Sequence, residues 1–328
     1  MKGPCGLSAA EVTRTGHWIA SLQQASGALP HTADGHLDPW NHVEAAMGLD
    51  AAGLSDRATL AYRWLGAVQN PDGSFYAGYR GDSVTDRQCD SNFTAYLAAG
   101  VLHHVLSTKD DALLNDLWPA VLGAMGFVLR MRLPAWQLRW RTEAGELALL
   151  AGCCGTYLSL RAAERLAHRM GEPHPEWSQA RARLGVAIVE RPELFVPKPH
   201  AMDWYYPVLA GTLDSVAASR RLARRWAEFV VPGHGVRCVS EQPWTTGGET
   251  SELAIALAML GHRRSAATLL RCTRRLRNAD GSYWTGYQYE NDVLWPTELT
   301  TWTAGSILLG NAALNADPAT TAVFGRSQ

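Results

Sequence analysis

The sequence predicts an all-α fold, an (α/α)6 barrel or toroid in which six helical hairpins form an inner and an outer ring of helices. Three observations predict it. Helical periodicity runs through most of the 328 residues, while strand patterns are scarce. Helices with one charged face alternate with helices that carry almost no charge, as expected of surface and buried helices. The uncharged helices recur about every 50 residues, a spacing typical of an array of equivalent units.

The helices with a charged face are assigned to the outer ring. They are predicted at 8–24, 54–69, 110–131, 176–190, 214–229 and 261–277. Five of them contain one tryptophan each, which we expect to pack between the two rings. These are Trp18, Trp64, Trp118, Trp177 and Trp226.

The uncharged helices, rich in Ala, Gly and Leu, are assigned to the inner ring. They are predicted at 41–49, 92–106, 147–160, 205–213, 251–260 and 298–314. Small side chains allow such helices to approach closely. Because these helices are apolar on all sides and no polar capping repeat is present, a closed ring is favoured over an open solenoid. The sequence therefore predicts one toroid domain at 1–315, followed by a C-terminal tail at 316–328.

The connections predict where a functional site lies. Links from an inner to an outer helix are short, whereas links from an outer to an inner helix are long and aromatic. Two of the long links, at 69–79 and 278–287, share an Asp-Gly-Ser turn sequence. In a double ring all long links lie on one face, at the N-terminal ends of the inner helices. We expect the site there, since loops on a rigid scaffold carry function.

Composition excludes several classes of protein. The chain has 30 Lys+Arg against 31 Asp+Glu, and 47% of its residues are hydrophobic. Such a chain is not intrinsically disordered, and it lacks the positive field of a nucleic-acid binder. No apolar signal segment and no long uninterrupted apolar run are apparent, so we expect a cytoplasmic protein without a membrane span. No pattern of metal ligands or cofactor motif is found, so neither is predicted.

Several segments resemble known toroid enzymes. The hairpin pattern as a whole resembles the α/α-toroid superfamilies, which are the six-hairpin glycosidases and the terpenoid cyclases with protein prenyltransferases. The segment that begins Asp90-Ser-Asn-Phe-Thr-Ala-Tyr and continues to Pro119 is similar to hairpins of glucoamylase-like enzymes. Gln69-Asn-Pro-Asp-Gly-Ser-Phe75 resembles the repeat of squalene cyclases, which are terpenoid cyclases. The whole chain also resembles actinobacterial proteins labelled prenyltransferase. The segments that carry this resemblance are Asp38-Pro-Trp-Asn-His-Val-Glu-Ala-Ala, Met202-Asp-Trp-Tyr-Tyr-Pro207 and Gly235-Val-Arg-Cys-Val-Ser240.

These resemblances imply the toroid fold and leave the chemistry open between sugars and isoprenoids. The acidic motif D-x-D-D of squalene-hopene cyclases is absent, and Asp110-Asp111-Ala-Leu-Leu-Asn-Asp116 does not match the D-D-x-x-D motif of prenyl enzymes. Because fold does not fix function, a prenyltransferase activity is not implied by fold alone.

Acidic residues mark the starts of five inner helices, namely Asp38, Asp90, Asp203, Glu249 and Glu298. The first four are the candidate catalytic residues, and Glu298 is a candidate for substrate binding. Helix capping alone would also explain an acid at each position. In a ring of six, helices one and four, two and five, and three and six face each other. This pairs Asp90 with Glu249, our preferred acid and base, and Asp38 with Asp203, the second choice. Opposed carboxylates would leave a gap of about 6.5–9.5 Å, as in inverting glycosidases.

Polar and aromatic residues near these acids are the candidate substrate-binding residues. They are Trp40, Asn41, His42, Tyr79, Asn92, Trp204, Tyr205, Trp244, Trp284, Tyr287, Glu298 and Trp302. His42 has two interpretations, orienting a carboxylate or filling the core. Eight tryptophans lie in mouth loops or at inner-helix starts, which predicts an aromatic lining. They are Trp40, Trp136, Trp140, Trp204, Trp244, Trp284, Trp295 and Trp302.

Three functions are compatible with this pattern. The preferred one is an enzyme that acts on glycosides by carboxylate acid–base catalysis. The alternatives are a terpenoid cyclase or prenyltransferase, whose aromatic faces would stabilise a carbocation, and a non-catalytic ligand-binding toroid. The cavity lining distinguishes the first two, since several hydrogen-bonding side chains favour a sugar and an apolar pit with one acid favours an isoprenoid.

Overall fold

The computed structural model describes residues 6–81 and 83–325, and its helices form two concentric rings. The inner ring consists of α2 (Pro39–Ala51), α4 (Ser91–Thr108), α6 (Leu150–Met170), α8 (Ala201–Leu209), α10 (Gly247–Met259) and α12 (Thr301–Leu314). The outer ring consists of α1 (Ala9–Leu22), α3 (Ser55–Val68), α5 (Ala112–Arg130), α7 (Pro175–Glu190), α9 (Ser215–Phe229) and α11 (Arg263–Cys272). Each outer helix precedes an inner helix in the chain, so the predicted (α/α)6 toroid is confirmed.

The inner ring is closed. Each inner helix packs against the next one along the chain, and α12 packs against α2. At this closure a Cβ atom on Gly48 would lie only 2.7 Å from the Cα of Gly305. The two helix backbones therefore meet through a pair of glycines, which confirms the preference for a closed ring over an open solenoid.

One helix differs clearly from its predicted bounds. The sequence predicts the third inner helix at 147–160. It continues to Met170 because Arg161 is buried with its charge satisfied. The guanidinium donates to the carbonyl oxygens of Ala210 at 3.1 Å and Val323 at 2.7 Å.

A further helix, α13 (Pro318–Phe324), lies within the segment predicted as a tail. It packs against α4 at the end of the ring opposite the long connections. The Thr320 hydroxyl is 3.1 Å from Nε2 of His103, a buried histidine of α4. Part of the predicted tail therefore covers the closed end of the barrel, while residues 326–328 lie outside the described residues.

Two small antiparallel sheets border the mouth, although the sequence showed few strand signals. The first has the order β1-β2-β3 and the second the order β4-β5-β6-β7-β8. Their strands are β1 (His36–Leu37), β2 (Tyr76–Arg80), β3 (Ser83–Cys89), β4 (Val230–Val231), β5 (Gly235–Arg237), β6 (Trp244–Thr246), β7 (Gly286–Gln288) and β8 (Val293–Leu294). Most of these strands precede an inner helix, so the sheets brace the long connections around the site.

Among the described residues, α5 is the one helix whose length and composition would allow it to cross a membrane. In its most apolar stretch, 56% of the residues are buried in the fold. The helix packs against α3, α4 and α6, so its apolar residues contribute to the core between the two rings.

Candidate active site

The N-terminal ends of α2, α4, α6, α8 and α12 surround a cavity of about 440 Å³. Six residues predicted for catalysis or substrate binding line it, namely Asp38, Trp40, Asn41, Asp90, Asn92 and Trp302. Trp140, predicted as part of the aromatic lining, lines it too. Further lining residues with polar side chains were not predicted from the sequence, namely His31, Ser91, Arg141, Lys198 and Tyr206. Because so many side chains can form hydrogen bonds, the lining favours a sugar over an isoprenoid.

Asp90 combines the roles of helix cap and cavity residue. Its Oδ1 accepts hydrogen bonds from the amides of Asn92 at 2.8 Å and Phe93 at 3.1 Å. Its Oδ2 lies 3.7 Å from Nε of Arg141. Burial nevertheless raises the pKa of Asp90 to about 6, although the two amides, Arg141 and the Trp140 side chain favour the ionised form. A carboxyl group with this pKa is partly protonated near neutral pH, as a general acid requires.

Asp38 occupies the equivalent position at the start of α2. Its Oδ1 accepts from the amide of Asn41 at 2.9 Å, and its Oδ2 accepts from the Asn41 side-chain amide. Burial raises the pKa of Asp38, and these donors oppose the shift. Capping and catalysis are therefore compatible for both aspartates, because each carboxylate caps its helix and also lines the cavity.

An aromatic floor lies beneath these carboxylates. Trp40 stacks on Tyr96 with a ring separation of 4.0 Å and an interplanar angle of 7°. The ring centroid of Tyr206 is 6.0 Å from that of Trp40. The ring centroid of Trp302 is 6.4 Å from that of His31. Flat apolar faces next to carboxylates are suited to hold a sugar ring while its hydroxyl groups are bound at the edges.

Two glutamates behind this floor were not predicted. Glu44 is 1% exposed and Glu252 is 2% exposed. Glu44 Oε1 accepts from the Ser306 hydroxyl at 2.6 Å. The indoles of Trp40 and Trp302, which line the cavity, lie close enough to the Glu44 carboxylate to favour its ionised form. Glu252 accepts from the hydroxyls of Tyr205 and Tyr206. Tyr206 therefore links the cavity to the buried acid pair.

Glu44, Glu252 and the neighbouring Glu249 form a buried acidic cluster. Burial raises the pKa of Glu44 to about 7 and that of Glu252 well above its ordinary value. Repulsion from Glu249 adds to both shifts, and repulsion from Glu44 adds to that of Glu252. Two neighbouring carboxylates cannot both ionise easily in a low dielectric, so the pair favours a protonated state. A sequence signal did exist, because each glutamate interrupts a helix that is otherwise almost uncharged.

The predicted partners Glu249 and Asp203 are at helix starts but not among the cavity-lining residues. Glu249 is buried in the first turn of α10, accepts from the Thr246 hydroxyl and faces the thiol of Cys238. Asp203 accepts from the amide of Ala151 at 3.2 Å. The opposed helices are arranged as predicted, but only one carboxylate of each predicted pair lines the cavity. The catalytic roles of Glu249 and Asp203 stay predictions.

His42 lies in the core instead of the cavity. Its Nδ1 accepts from the amide of Leu29 at 3.1 Å, and Nε2 is 2.9 Å from the carbonyl oxygen of Ala61. Burial lowers the pKa of His42 to about 4, so the ring is neutral. Of its two interpretations, the structure supports the core histidine.

The remaining predicted binding residues lie outside the cavity lining. Tyr79, Trp204, Tyr205, Trp244, Trp284, Tyr287 and Glu298 are not among the cavity-lining residues. Trp204 illustrates the reason, since its indole donates to the carbonyl of Arg221 and its ring stacks on Phe229, both in α9. Tyr287 lies on the rim, where it bonds Asp292 and stacks on His234. Aromatic side chains at the mouth therefore point outward as well as inward.

Among the described residues, no group of three or more His, Cys, Asp or Glu side chains is placed to hold a metal ion. Asn92 Oδ1 is buried without a hydrogen-bond partner and packs against the backbone of Gly155 in α6, so this atom is not presented to a ligand in the cavity.

A closed (α/α)6 ring whose cavity combines carboxylates with an aromatic floor defines a six-hairpin glycosidase-like protein. The chain is 48% identical over 316 residues to the MMP endo-(1,4)-3-O-methyl-alpha-D-mannosidase of Mycolicibacterium hassiacum, a match that covers 95% of this chain and 88% of that enzyme. The chain belongs to the family of this mannosidase and is a glycoside hydrolase. No family model matches the chain.

Solved structures agree on the fold. A wild-type glycosidase has a TM-score of 0.77 at 17% identity, covering 95% of this chain and all of that one. A D-mannose isomerase has a TM-score of 0.74 at 9% identity, covering 94% of this chain and 96% of that one. At these identities the likeness concerns the fold alone. The terpenoid and prenyltransferase alternative has no support among these relatives.

Proposed function

We propose that this enzyme hydrolyses internal α-(1,4) linkages between 3-O-methylmannose units of methylmannose polysaccharide. The observation that carries the proposal is the 48% identity over nearly the full length to an enzyme named for that reaction. The cavity supports it, because it offers both carboxylates and hydrogen-bonding groups for a sugar.

In the proposed mechanism Asp90 is the general acid and Asp38 the general base. Asp90 gives its proton to the glycosidic oxygen as the bond from that oxygen to the anomeric carbon breaks. Asp38 takes a proton from a water molecule, whose oxygen bonds the anomeric carbon on the opposite face. Burial raises the pKa of both carboxyl groups, so a protonated Asp90 is available as donor, and the division of roles between the two aspartates is the proposal that the variants below test. The two donors from Asn41 hold the Asp38 carboxylate in place for the base role.

The experiment is incubation of the purified protein with methylmannose polysaccharide, followed by mass spectrometry of the products and NMR of the new reducing ends. We expect shorter oligosaccharides whose new ends first appear in the β configuration. Polysaccharide that stays intact would refute the proposed substrate, and new ends in the α configuration would refute the assigned mechanism.

Matched variants test the assignment of the base. Asp38→Asn is expected to abolish turnover while the protein still binds oligosaccharide. If Glu249→Gln abolishes turnover and Asp38→Asn retains it, the base is the partner predicted from the sequence instead. The expected cytoplasmic location belongs to the same proposal, and fractionation of the source cells would test it.

A further inference from the structure

One wall of the cavity is apolar, and most of it comes from a single hairpin. Leu138 and Leu149 lie on the connection from α5 to α6, and Gly152 and Cys153 lie in the first turn of α6. Met202, in the first turn of α8, is also part of the lining. The acidic side chains of the lining belong to the starts of α2 and α4. The same connection also supplies Arg141, whose guanidinium is turned toward Asp90. The apolar wall is therefore the patch formed by Leu138, Leu149, Gly152, Cys153 and Met202.

We infer that this apolar wall receives the methyl ether of the sugar and thereby selects methylated over unmethylated mannosides. The inference rests on the proposed function and adds to it the residues that set its specificity. A sugar hydroxyl placed against the wall would lose a hydrogen bond to water and gain none in return. A methyl ether removes that donor and adds apolar contact.

The wall offers no strong polar partner near its centre. The amide of Leu138 is already bonded to Cys153 Sγ at 3.4 Å. Burial raises the pKa of the Cys153 thiol to about 12, so the sulfur is uncharged and behaves as a small apolar group. Neither residue therefore replaces the water that a sugar hydroxyl would lose.

Gly152 provides the space. A Cβ atom built there would meet the Cβ of Asn92 at 3.5 Å and that of Leu149 at 3.8 Å, which are ordinary van der Waals distances. Alanine is therefore accommodated at position 152 without a clash, and its methyl group would extend the protein surface at this wall. With glycine there, the backbone of α6 is left uncovered, and we assign the space in front of it to the methyl group of the substrate.

The test is Gly152→Ala, which fills the space with a methyl group of the protein. Gly126→Ala is the matched control, because Gly126 is also helical and half-buried, and its Cβ would meet only the flexible end of Arg130 at 3.4 Å. The substrates are two synthetic α-(1,4)-mannooligosaccharides, identical except that one carries 3-O-methyl groups. Relative kcat/KM is measured in mixtures, and affinity is measured by calorimetry.

We expect the wild type and Gly126→Ala to prefer the methylated substrate by about tenfold or more, as one methylene group permits. Gly152→Ala should lose most of this preference by weakening the methylated substrate alone. Cys153→Ser, which places a hydroxyl in the wall at nearly constant volume, should reduce the preference too and covers the case in which Gly152→Ala misfolds.

Equal use of both substrates by the wild type would overturn the inference and leave the proposed hydrolysis intact. The same holds if Gly152→Ala and Cys153→Ser, both folded, affect the two substrates alike. If neither oligosaccharide is bound or cleaved, the proposed function fails and the inference fails with it.

Discussion

Replacing Arg141 with methionine is expected to extend the activity of the enzyme to higher pH. The proposed general acid Asp90 must be protonated in order to act, and its pKa is about 6. Arg141 favours the ionised form of Asp90, because its Nε lies 3.7 Å from Asp90 Oδ2. Removing this positive charge therefore raises the pKa of Asp90 and keeps the acid protonated at higher pH.

The geometry sets the size of the effect. Two unit charges 3.7 Å apart interact by about 4 kcal/mol at an effective dielectric constant of ~20. Arg141 is also paired with Asp86 at 2.9 Å, and its side chain is 23% exposed, so part of its charge is already neutralised or screened. If a third to a half of the interaction remains, the pKa of Asp90 rises by about 1 to 1.5 units.

The assay is the pH dependence of kcat/KM. Its alkaline limb reports the pKa of the general acid in the free enzyme. The limb is expected to move toward alkaline pH by the amount just derived, whatever the change in absolute rate. Arg132→Met is the control, because it removes a charge from the same connection, and its guanidinium lies over Trp136 at 4.5 Å. A limb that stays in place in Arg141→Met, or moves toward acid, would refute the assignment of Asp90 as the acid.

Three further outcomes are expected. Asp90→Asn should lower kcat by about 10²- to 10⁴-fold with the fold retained by circular dichroism, and unchanged turnover would exclude it as the acid. Glu44 has a folded-state pKa of about 7 against 4.5 ordinarily, so stability falls as pH rises between these values. Glu44→Gln should therefore raise the free energy of unfolding by up to ~3 kcal/mol above pH 7 and change it little below pH 4.5. Denaturant titrations at the two extremes check this, and equal effects at both would contradict it. Gly48→Ala, whose Cβ would lie 2.7 Å from Gly305, should destabilise the protein by about 1–3 kcal/mol. Thermal unfolding measures that loss, and a melting temperature as high as that of Gly126→Ala would argue against the tight closure.

The double ring was predictable because its signal extends over long segments. Inner helices are buried on nearly all sides and so carry few charged residues, whereas the outer helices keep one charged face. The strands were not predictable, since β1, β4 and β8 contain only two residues each. Two residues cannot show an alternating pattern, and such strands form because the ring brings their connections together.

The site was predicted in part. Asp38 and Asp90 stand at helix starts, a local feature that the sequence displays, and both line the cavity. Glu44 and Glu252 lie inside inner helices, and only the ring places them beside each other under the floor. The sequence did indicate that Glu44 and Glu252 are unusual, because each is an acidic residue within an otherwise almost uncharged, buried helix. A buried acid needs a hydrogen-bond partner.

The aromatic lining was overestimated for a related reason. Of the eight tryptophans predicted around the mouth, only Trp40, Trp140 and Trp302 line the cavity. Sequence position fixes the height of a residue along a helix, but the direction of its side chain depends on the final rotation of that helix in the ring. Trp204 is turned toward α9 for this reason.

The contact between α2 and α12 also has a consequence for how the protein is made. These helices belong to the first and the last of the six hairpins. During synthesis α2 therefore emerges from the ribosome long before α12, the helix against which its Gly48 packs. Until α12 emerges, the incomplete barrel exposes apolar surface at both of its open edges, and this surface is prone to misassociation. Final closure requires the most distant segments of the chain to meet, which makes it a slow step in folding. A chain released before its sixth hairpin would therefore be a target for chaperones or proteases even though five hairpins are complete.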